Sequence, residues 1–224
     1  QIRSALFSLR DSAAIPFGEA LDYANKVSKQ TGIRPAFLLA ILTQESNLGK
    51  NVGSCLVTDL TTGNGIGKNT GTPFQQVMKA PRDTAPFKDI TDRLGRNYSS
   101  TPVSCPPSTV YYVGRGFGGG MGPSQFIPST WELFKNAVGS ALGLSGNAVD
   151  PWIPEHAFMA TGIYMKDLGA GAGTYTAERN AACRYYSGAV CTPGRKPANV
   201  FYGDQVMATA QSIQINMIDP LKDL

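Results

Sequence analysis

One run of thirteen residues, Ala36–Leu48 (AFLLAILTQESNL), constrains this chain more than any other. Its first eight positions, Ala36–Thr43, carry no charge, and Gln44-Glu45-Ser46 follows directly. Pro35 suits the first turn of a helix, where its missing N–H costs nothing. Gly49 suits the C-terminal stop. At helical spacing Leu38, Ile41, Leu42 and Glu45 share a face. A helix apolar nearly all round belongs in an interior, so Glu45 is expected to emerge from the core beside little water. Desolvation disfavours an ionised carboxyl and raises its pKa, as a general acid working near neutral pH requires. The alternative is a solvated glutamate at a frayed helix end.

With 224 residues the chain can bury a substantial core as one domain, or as one domain with a large insertion. The net charge of +4 is mild. It would favour a polyanionic partner, but no block of Lys and Arg and no alternation of aromatic with basic residues points to nucleic acid. The longest apolar run is far too short to span a membrane. Cysteines fall at 55, 105, 183 and 191, with no C-x-x-C and a single histidine, His156, which argues against zinc. Four cysteines allow three pairings. Cys55–Cys105 and Cys183–Cys191 each bracket a Gly/Pro-containing stretch, as disulfide clips do in an oxidising compartment; four reduced, buried thiols are the alternative. The chain opens with Gln1 and shows no signal peptide, so a mature or trimmed fragment lacking its export signal or an upstream region is expected.

In order, residues 1–15 read as weakly helical, with Ile2, Leu6 and Leu9 on one side. Pro16 opens a helix to about Gln30, closed by Thr31-Gly32. From Gly53 to about Pro107 the chain is rich in Gly, Thr, Pro and Asn and reads as a long, loop-rich insertion, with short helices expected near 73–80 and 86–95. The Gly114–Pro123 stretch (GRGFGGGMGP) lacks the Lys-Ser/Thr and the strand context of a nucleotide-binding loop. Its glycines suit close backbone approach. An amphipathic helix is expected from about Ser129, another opened by Asp150-Pro151 and stopped at Gly169, a third over 177–186, and a last one capped by Asn199. His156 sits among apolar neighbours and reads as structural. Strands are scarce, and the fold class is mainly α, a multi-helix lobe around a groove.

Three separated pieces of the chain resemble one family. Glu45-Ser46, ending an apolar helix, is similar to the Glu-Ser signature of lytic transglycosylases. Gly120-Met121-Gly122-Pro123-Ser124-Gln125-Phe126-Ile127-Pro128-Ser129 resembles the Gly-x-x-Gln segment as carried by relatives of membrane-bound lytic transglycosylase B. Arg184-Tyr185-Tyr186-Ser187-Gly188 is similar to the Tyr-Asn motif, with Tyr186 in place of the asparagine. Tyr202 and Val206 echo a Tyr-x-x-x-Val continuation. The resemblance covers residues 16–215 apart from the 53–107 insertion. The middle motif is the specific one.

The resemblance implies a goose-lysozyme-like lobe, residues 1–224 forming one catalytic domain, that cleaves the β-1,4 bond between N-acetylmuramic acid and N-acetylglucosamine in peptidoglycan. Glu45 would first protonate the glycosidic oxygen. It would then deprotonate the muramic acid C6 hydroxyl, which closes a 1,6-anhydro ring. Ordinary glycosidases need two carboxylates flanking the bond, and none of the three motifs supplies a second. Asp150, Glu132 and Glu155 have ordinary jobs as cap or exposed face, although Asp59 or Asp83 of the insertion could fold over the groove. Ser46 would hydrogen-bond Glu45 or the sugar, Gln125 would offer both donor and acceptors, and Met121 and Phe126 would wall the sugar faces. Tyr185 would orient Glu45, and Tyr186 would stack on sugar. No cofactor or metal is implied. The expected setting is extracytoplasmic, a bacterial cell envelope or secreted, with glycan strands as the partner of a monomer. Three other readings stay open: a muramidase or chitinase-like hydrolase on the same lobe, a non-catalytic domain that binds cell-wall glycan or serves as a scaffold, and a disulfide-bonded helical interaction domain, which requires that the three motifs do not converge in space.

Overall fold

The computed structural model describes residues 14–107 and 116–223. It is mainly helical, with seven α-helices among the described residues: α1 (Phe17–Thr31), α2 (Pro35–Ser46), α3 (Thr84–Arg93), α4 (Pro128–Leu142), α5 (Pro154–Asp167), α6 (Tyr175–Ser187) and α7 (Val200–Ile213). Three short strands, β1 (Cys55–Val57), β2 (Gly65–Gly67) and β3 (Pro73–Phe74), lie between α2 and α3. The expected N-terminal helix carrying Ile2, Leu6 and Leu9 falls on residues outside those described, as do Gly114 and Arg115 of the glycine stretch.

Helix α2 is the axis of the lobe. Every residue from Ala36 to Leu42 is buried, and α1, α5 and α7 all pack against it. Each Leu, Ile or Phe so buried contributes about 1.5–3 kcal/mol, so α2 cannot shift without opening the core. It ends at Ser46, three residues before the glycine expected to stop it. Asn47 and Leu48 both take left-handed φ values, 51° and 53°. Asn tolerates that region, whereas Leu does not. The turn is held by hydrogen bonds instead: Leu48 N to Leu42 O (3.1 Å), Ile15 N to Leu48 O (3.0 Å) and Gly49 N to Ser46 Oγ (2.9 Å).

Other boundaries follow local chemistry. Gly32, at φ 76°, ends α1, and Pro128 sits in the first turn of α4. Helix α5 begins at Pro154 rather than at Pro151. Asp150 is not its cap, because Arg96 has recruited it: Nη2 reaches Oδ2 at 2.9 Å, and Oδ1 accepts from Trp152 N at 2.8 Å. Helix α6 starts at Tyr175, two residues early, with Thr174 Oγ1 accepting from Ala177 N at 3.2 Å.

The loop-rich stretch is more ordered than its composition suggests. The strands form an antiparallel sheet with Leu56 opposite Ile66 and Ile66 opposite Pro73. The helix expected over 73–80 is absent. Pro73 and Phe74 extend along the sheet edge, where a missing N–H is tolerated, and Gln76 has φ 57°. The second expected helix is α3. Cys55–Cys105 closes the excursion, beside the Cys55–Val103 bridge. The buried Arg96–Asp150 pair ties it to the lobe. The guanidinium lies 4.5 Å from the Trp152 ring centroid, and Trp152 Nε1 donates to Pro102 O at 3.1 Å. His156 Nδ1 accepts from Asp150 N at 2.9 Å, so that nitrogen carries no proton and the histidine is structural. Cys183–Cys191 is the second disulfide. Both bonds suit an oxidising compartment. No described helix is long and apolar enough to cross a membrane.

The two disulfides differ in reach, with separations of 50 and 8 residues. Loop-closure entropy then gives about 4 kcal/mol for the first and about 2.5 kcal/mol for the second. Denaturant unfolding of Cys55→Ala/Cys105→Ala is expected to show the larger loss. An equal or smaller loss than for Cys183→Ala/Cys191→Ala would refute that ordering.

Candidate active site

The C-terminal end of α2, the 122–127 loop, the start of α4, one face of α5 and the end of α6 enclose a cleft of about 560 Å³. Glu45, Gln125, Phe126, Tyr185 and Tyr186 all line it. Three segments distant in sequence thus meet in one place. Among the described lining residues Glu45 is the only carboxylate.

Glu45 is only partly exposed, and burial raises its pKa to about 7, against a smaller opposing effect of a hydrogen bond from Tyr202. Its position in the last turn of α2 acts in the same direction as burial. The partial negative charge of a helix C-terminus disfavours an anion, and no basic residue occupies that turn. Tyr202 Oη donates to Glu45 Oε1. The phenol keeps its proton, because burial and then the Glu45 charge push its pKa well above the usual value. A carboxyl held this way offers its other oxygen to the cleft and is poised to give or take a proton near neutrality.

The specific middle motif forms a tight loop. Met121 N donates to Phe126 O at 3.0 Å and Gln125 N to Gly122 O at 3.2 Å, with Gly122 at φ 60° and Gln125 at φ 56°. A Cβ at Gly122 would lie 1.9 Å from Pro151 O, so only glycine fits there. Gln125 Nε2 is committed to Gly122 O (2.9 Å) and Val52 O (3.2 Å). What remains for a ligand is its acceptor oxygen, not the donor-and-acceptor pair expected. Ser46 faces neither Glu45 nor the cleft: its buried Oγ donates to Pro123 O at 2.6 Å, joining α2 to the loop. Met121 is fully buried and is core rather than cleft wall. Phe126 does line the cleft, in an aromatic cluster with Tyr164 (5.5 Å between centroids) and Tyr185 (6.0 Å).

The tyrosine roles differ from expectation. Tyr185 Oη donates to Ser124 O, not to Glu45. Burial, followed by the Glu45 charge, raises its pKa well above normal, so it too stays protonated. The orienting phenol is Tyr202. The signal for it lay in its i, i+4 spacing with Val206 on the buried face of α7, because a buried phenol needs a polar partner. Tyr186 is half-exposed at the rim and stacks on Tyr202, with centroids 4.8 Å apart and planes 16° apart. Arg82, Thr130, Tyr164 and Arg184 also line the cleft; Arg184 opens the Tyr185-Tyr186 motif, and nothing in the local sequence marked the other three.

Each candidate second acid is engaged elsewhere. Asp83 pairs with Arg82 and binds the first turn of α4 through Ser129 N (3.1 Å) and Ser129 Oγ (2.6 Å). Asp59 closes its own turn; hydrogen bonds from Thr62 and Thr61 hold its carboxyl below the usual range. Glu132 pairs with Arg93 and Lys135, and Glu155 with Lys26.

The buried carboxyl carries a stability signature. Between the ordinary 4.5 and about 7 the folded chain holds a proton on Glu45 that the unfolded chain releases, so stability falls as pH rises through that window. Glu45→Gln removes the dependence. Unfolding measured against pH should find the variant close to wild type near pH 4 and more stable by about 3 kcal/mol above pH 7. A difference that does not change with pH would contradict a desolvated Glu45.

The geometry has no counterpart to lean on: no protein-family model matches the chain, and no curated protein or solved structure matches it significantly.

Proposed function

We propose that this chain is a peptidoglycan lytic transglycosylase with a lysozyme-like lobe. It would cleave the β-1,4 bond between N-acetylmuramic acid and N-acetylglucosamine and leave 1,6-anhydromuramic acid ends. The observation that carries the reading is a solitary carboxyl of pKa about 7 in a cleft with no second carboxylate among its described lining residues. An ordinary hydrolase uses a second carboxylate as nucleophile or to activate water. One group that acts first as acid and then as base needs neither, because the attacking hydroxyl belongs to the substrate.

In the proposed cycle neutral Glu45 gives its proton to the glycosidic oxygen as the bond to muramic acid C1 breaks. The oxygen of the muramic N-acetyl group supports the positive charge that develops. The Tyr202 hydrogen bond strengthens as Glu45 becomes an anion, since charge-assisted bonds are the stronger kind. Glu45 then takes the proton of the C6 hydroxyl as that oxygen bonds to C1. Proton and bond count close without water. The half-exposed Tyr186 would offer an apolar face to the sugars, as aromatic rings do, whereas Phe126 is buried beneath the cleft and supports its wall. Peptidoglycan strands would be the substrate, in the bacterial cell envelope or outside the cell, a setting that two disulfides suit.

Digestion of purified sacculi tests the reaction directly. Mass spectrometry of the fragments should find ends one water lighter than reducing ends, and Glu45→Gln should bind sacculi while releasing nothing. Reducing ends would assign a hydrolase, and equal clearing by wild type and variant would remove the enzyme assignment altogether.

The pH profile follows from the first step, which requires neutral Glu45. The rate at limiting substrate should hold below about 7 and fall above it. Tyr202→Phe removes the donor that lowers the Glu45 pKa, so its alkaline limb should move to higher pH by about one unit. A limb that stays in place, or moves down, would show that Tyr202 does not act on Glu45.

A further inference from the structure

Asn199 is fully buried and occupies the N-cap position of α7, yet its side chain makes no capping bond to that helix. Its amide turns back toward α6. Nδ2 lies within hydrogen-bond distance of Ser187 Oγ (2.9 Å), Ala189 O (3.1 Å) and Val190 O (2.9 Å), while Oδ1 accepts from Thr192 N at 3.1 Å. A buried amide with both ends satisfied is a rigid strut, because breaking one bond strands a partner. Asn199 therefore joins the end of α6, where Ser187 and Gly188 line the cleft, to the start of α7, which carries Tyr202 one turn further on.

A second, independent constraint acts at the same place. The Cys183–Cys191 disulfide lies flush against the α7 backbone at Gly203, where a Cβ would come within 2.7 Å of both sulfurs. Gly203 follows Tyr202 directly in sequence. The ring of Tyr202 is also flanked by Tyr186 of α6. Amide strut, sulfur wedge and stacked ring all converge on one residue, and that residue's hydroxyl reaches across to α2 and Glu45.

We propose that Asn199, backed by the Cys183–Cys191 disulfide, is a positioning residue that holds the Tyr202 hydroxyl on Glu45 without touching the substrate. The inference rests on Glu45 being the acid/base of the reaction above. The titratable groups interacting with Glu45 are Tyr202 from α7 and Tyr185 from α6, and Tyr164 of α5, Tyr186 of α6, Arg82 and Arg184 line the same cleft. Neither Tyr185, which is bonded to Ser124 O, nor either arginine is held by Asn199. The end of α6, which Asn199 also holds through Ser187, carries Tyr185 and Tyr186, and the Tyr202→Phe background separates that route from the one through Tyr202.

The experiment follows the Glu45 carboxyl by 13C NMR in protein labelled at its five glutamates, with Glu45→Gln identifying the resonance. Asn199→Ala should raise the titration midpoint of Glu45, as Tyr202→Phe does, and should add nothing in a Tyr202→Phe background. Gly203→Ala and Cys183→Ala/Cys191→Ala should move it in the same direction, and they carry the test if Asn199→Ala does not fold. A merely structural role would lower stability and leave the midpoint of the folded protein where it was. An unchanged midpoint in a folded variant, or a shift that persists undiminished when Tyr202 is already Phe, overturns the proposal. The titration is read without substrate, so its outcome does not depend on which bond the enzyme breaks. Failure of the sacculus digest would sink the transglycosylase reading and leave this result standing.

Discussion

The structure turns on the desolvation of one carboxyl. Helix α2 is buried from Ala36 to Leu42, and a helix so enclosed can present a polar side chain only where it leaves the core. Glu45 stands at that exit, in the last helical turn, where low water access and the helix dipole both oppose its charge. Tyr202 supplies the one hydrogen bond that keeps the ionised form attainable. The two opposing effects leave the carboxyl near neutrality, where it can release and recover a proton at comparable cost. A fully hydrated Glu45 would be a permanent anion. One without Tyr202 would hold its proton too tightly to act as a base.

The sequence makes the first half of that balance legible and hides the second. Eight uncharged residues ahead of Gln44-Glu45-Ser46 imply a buried helix and a desolvated acid, because burial follows from composition and period. Gly120 to Ser129 is legible as a constrained loop because glycine and proline dictate backbone geometry. The partner of Glu45 is another matter. Tyr185, partly buried, and Tyr202, buried, are both phenols on helices beside the cleft, and which hydroxyl reaches Glu45 depends on how α6 and α7 are set against α2. That setting is a tertiary fact, carried by a disulfide and by Asn199, whose side chain bonds residues up to 12 positions away. The loss of the helix expected over 73–80 has the same origin: pairing with β2 overrides local preference, as β context commonly does. Asp150 likewise leaves its expected cap for Arg96, 54 residues away.

The roles expected of Ser46 and Met121 fail for one reason. Both are buried, Ser46 where α2 meets the 120–126 loop and Met121 within the loop itself, and both hold that junction rigid rather than facing the cleft. Ser46 Oγ holds Pro123 O, Ser124 Oγ holds Ala157 O at 2.7 Å, and Tyr185 holds Ser124 O. The loop is thereby fastened to α2, α5 and α6 at once. Gln125 projects from it at a left-handed φ that few side chains adopt. Strain of this kind persists only where the surroundings over-determine the backbone, and here three helices do so. Residues that look like substrate contacts in a motif can thus be what keeps the true contacts still.

The insertion bears on why one carboxyl must suffice. Of its aspartates, Asp83 is spent on Arg82 and on the first turn of α4, and Asp59 on its own turn. What the insertion sends into the cleft is Arg82, a cation. Neither Arg82 nor Arg184 is among the causes that set the Glu45 pKa. A cation within about 4–6 Å would depress the Glu45 pKa, whereas burial raises it to about 7. A single acid/base therefore depends on two exclusions: a second carboxylate would invite a water nucleophile, and a close arginine would cost Glu45 its proton. Among the described residues lining the cleft Glu45 is the only carboxylate, which is the condition the proposed reaction sets.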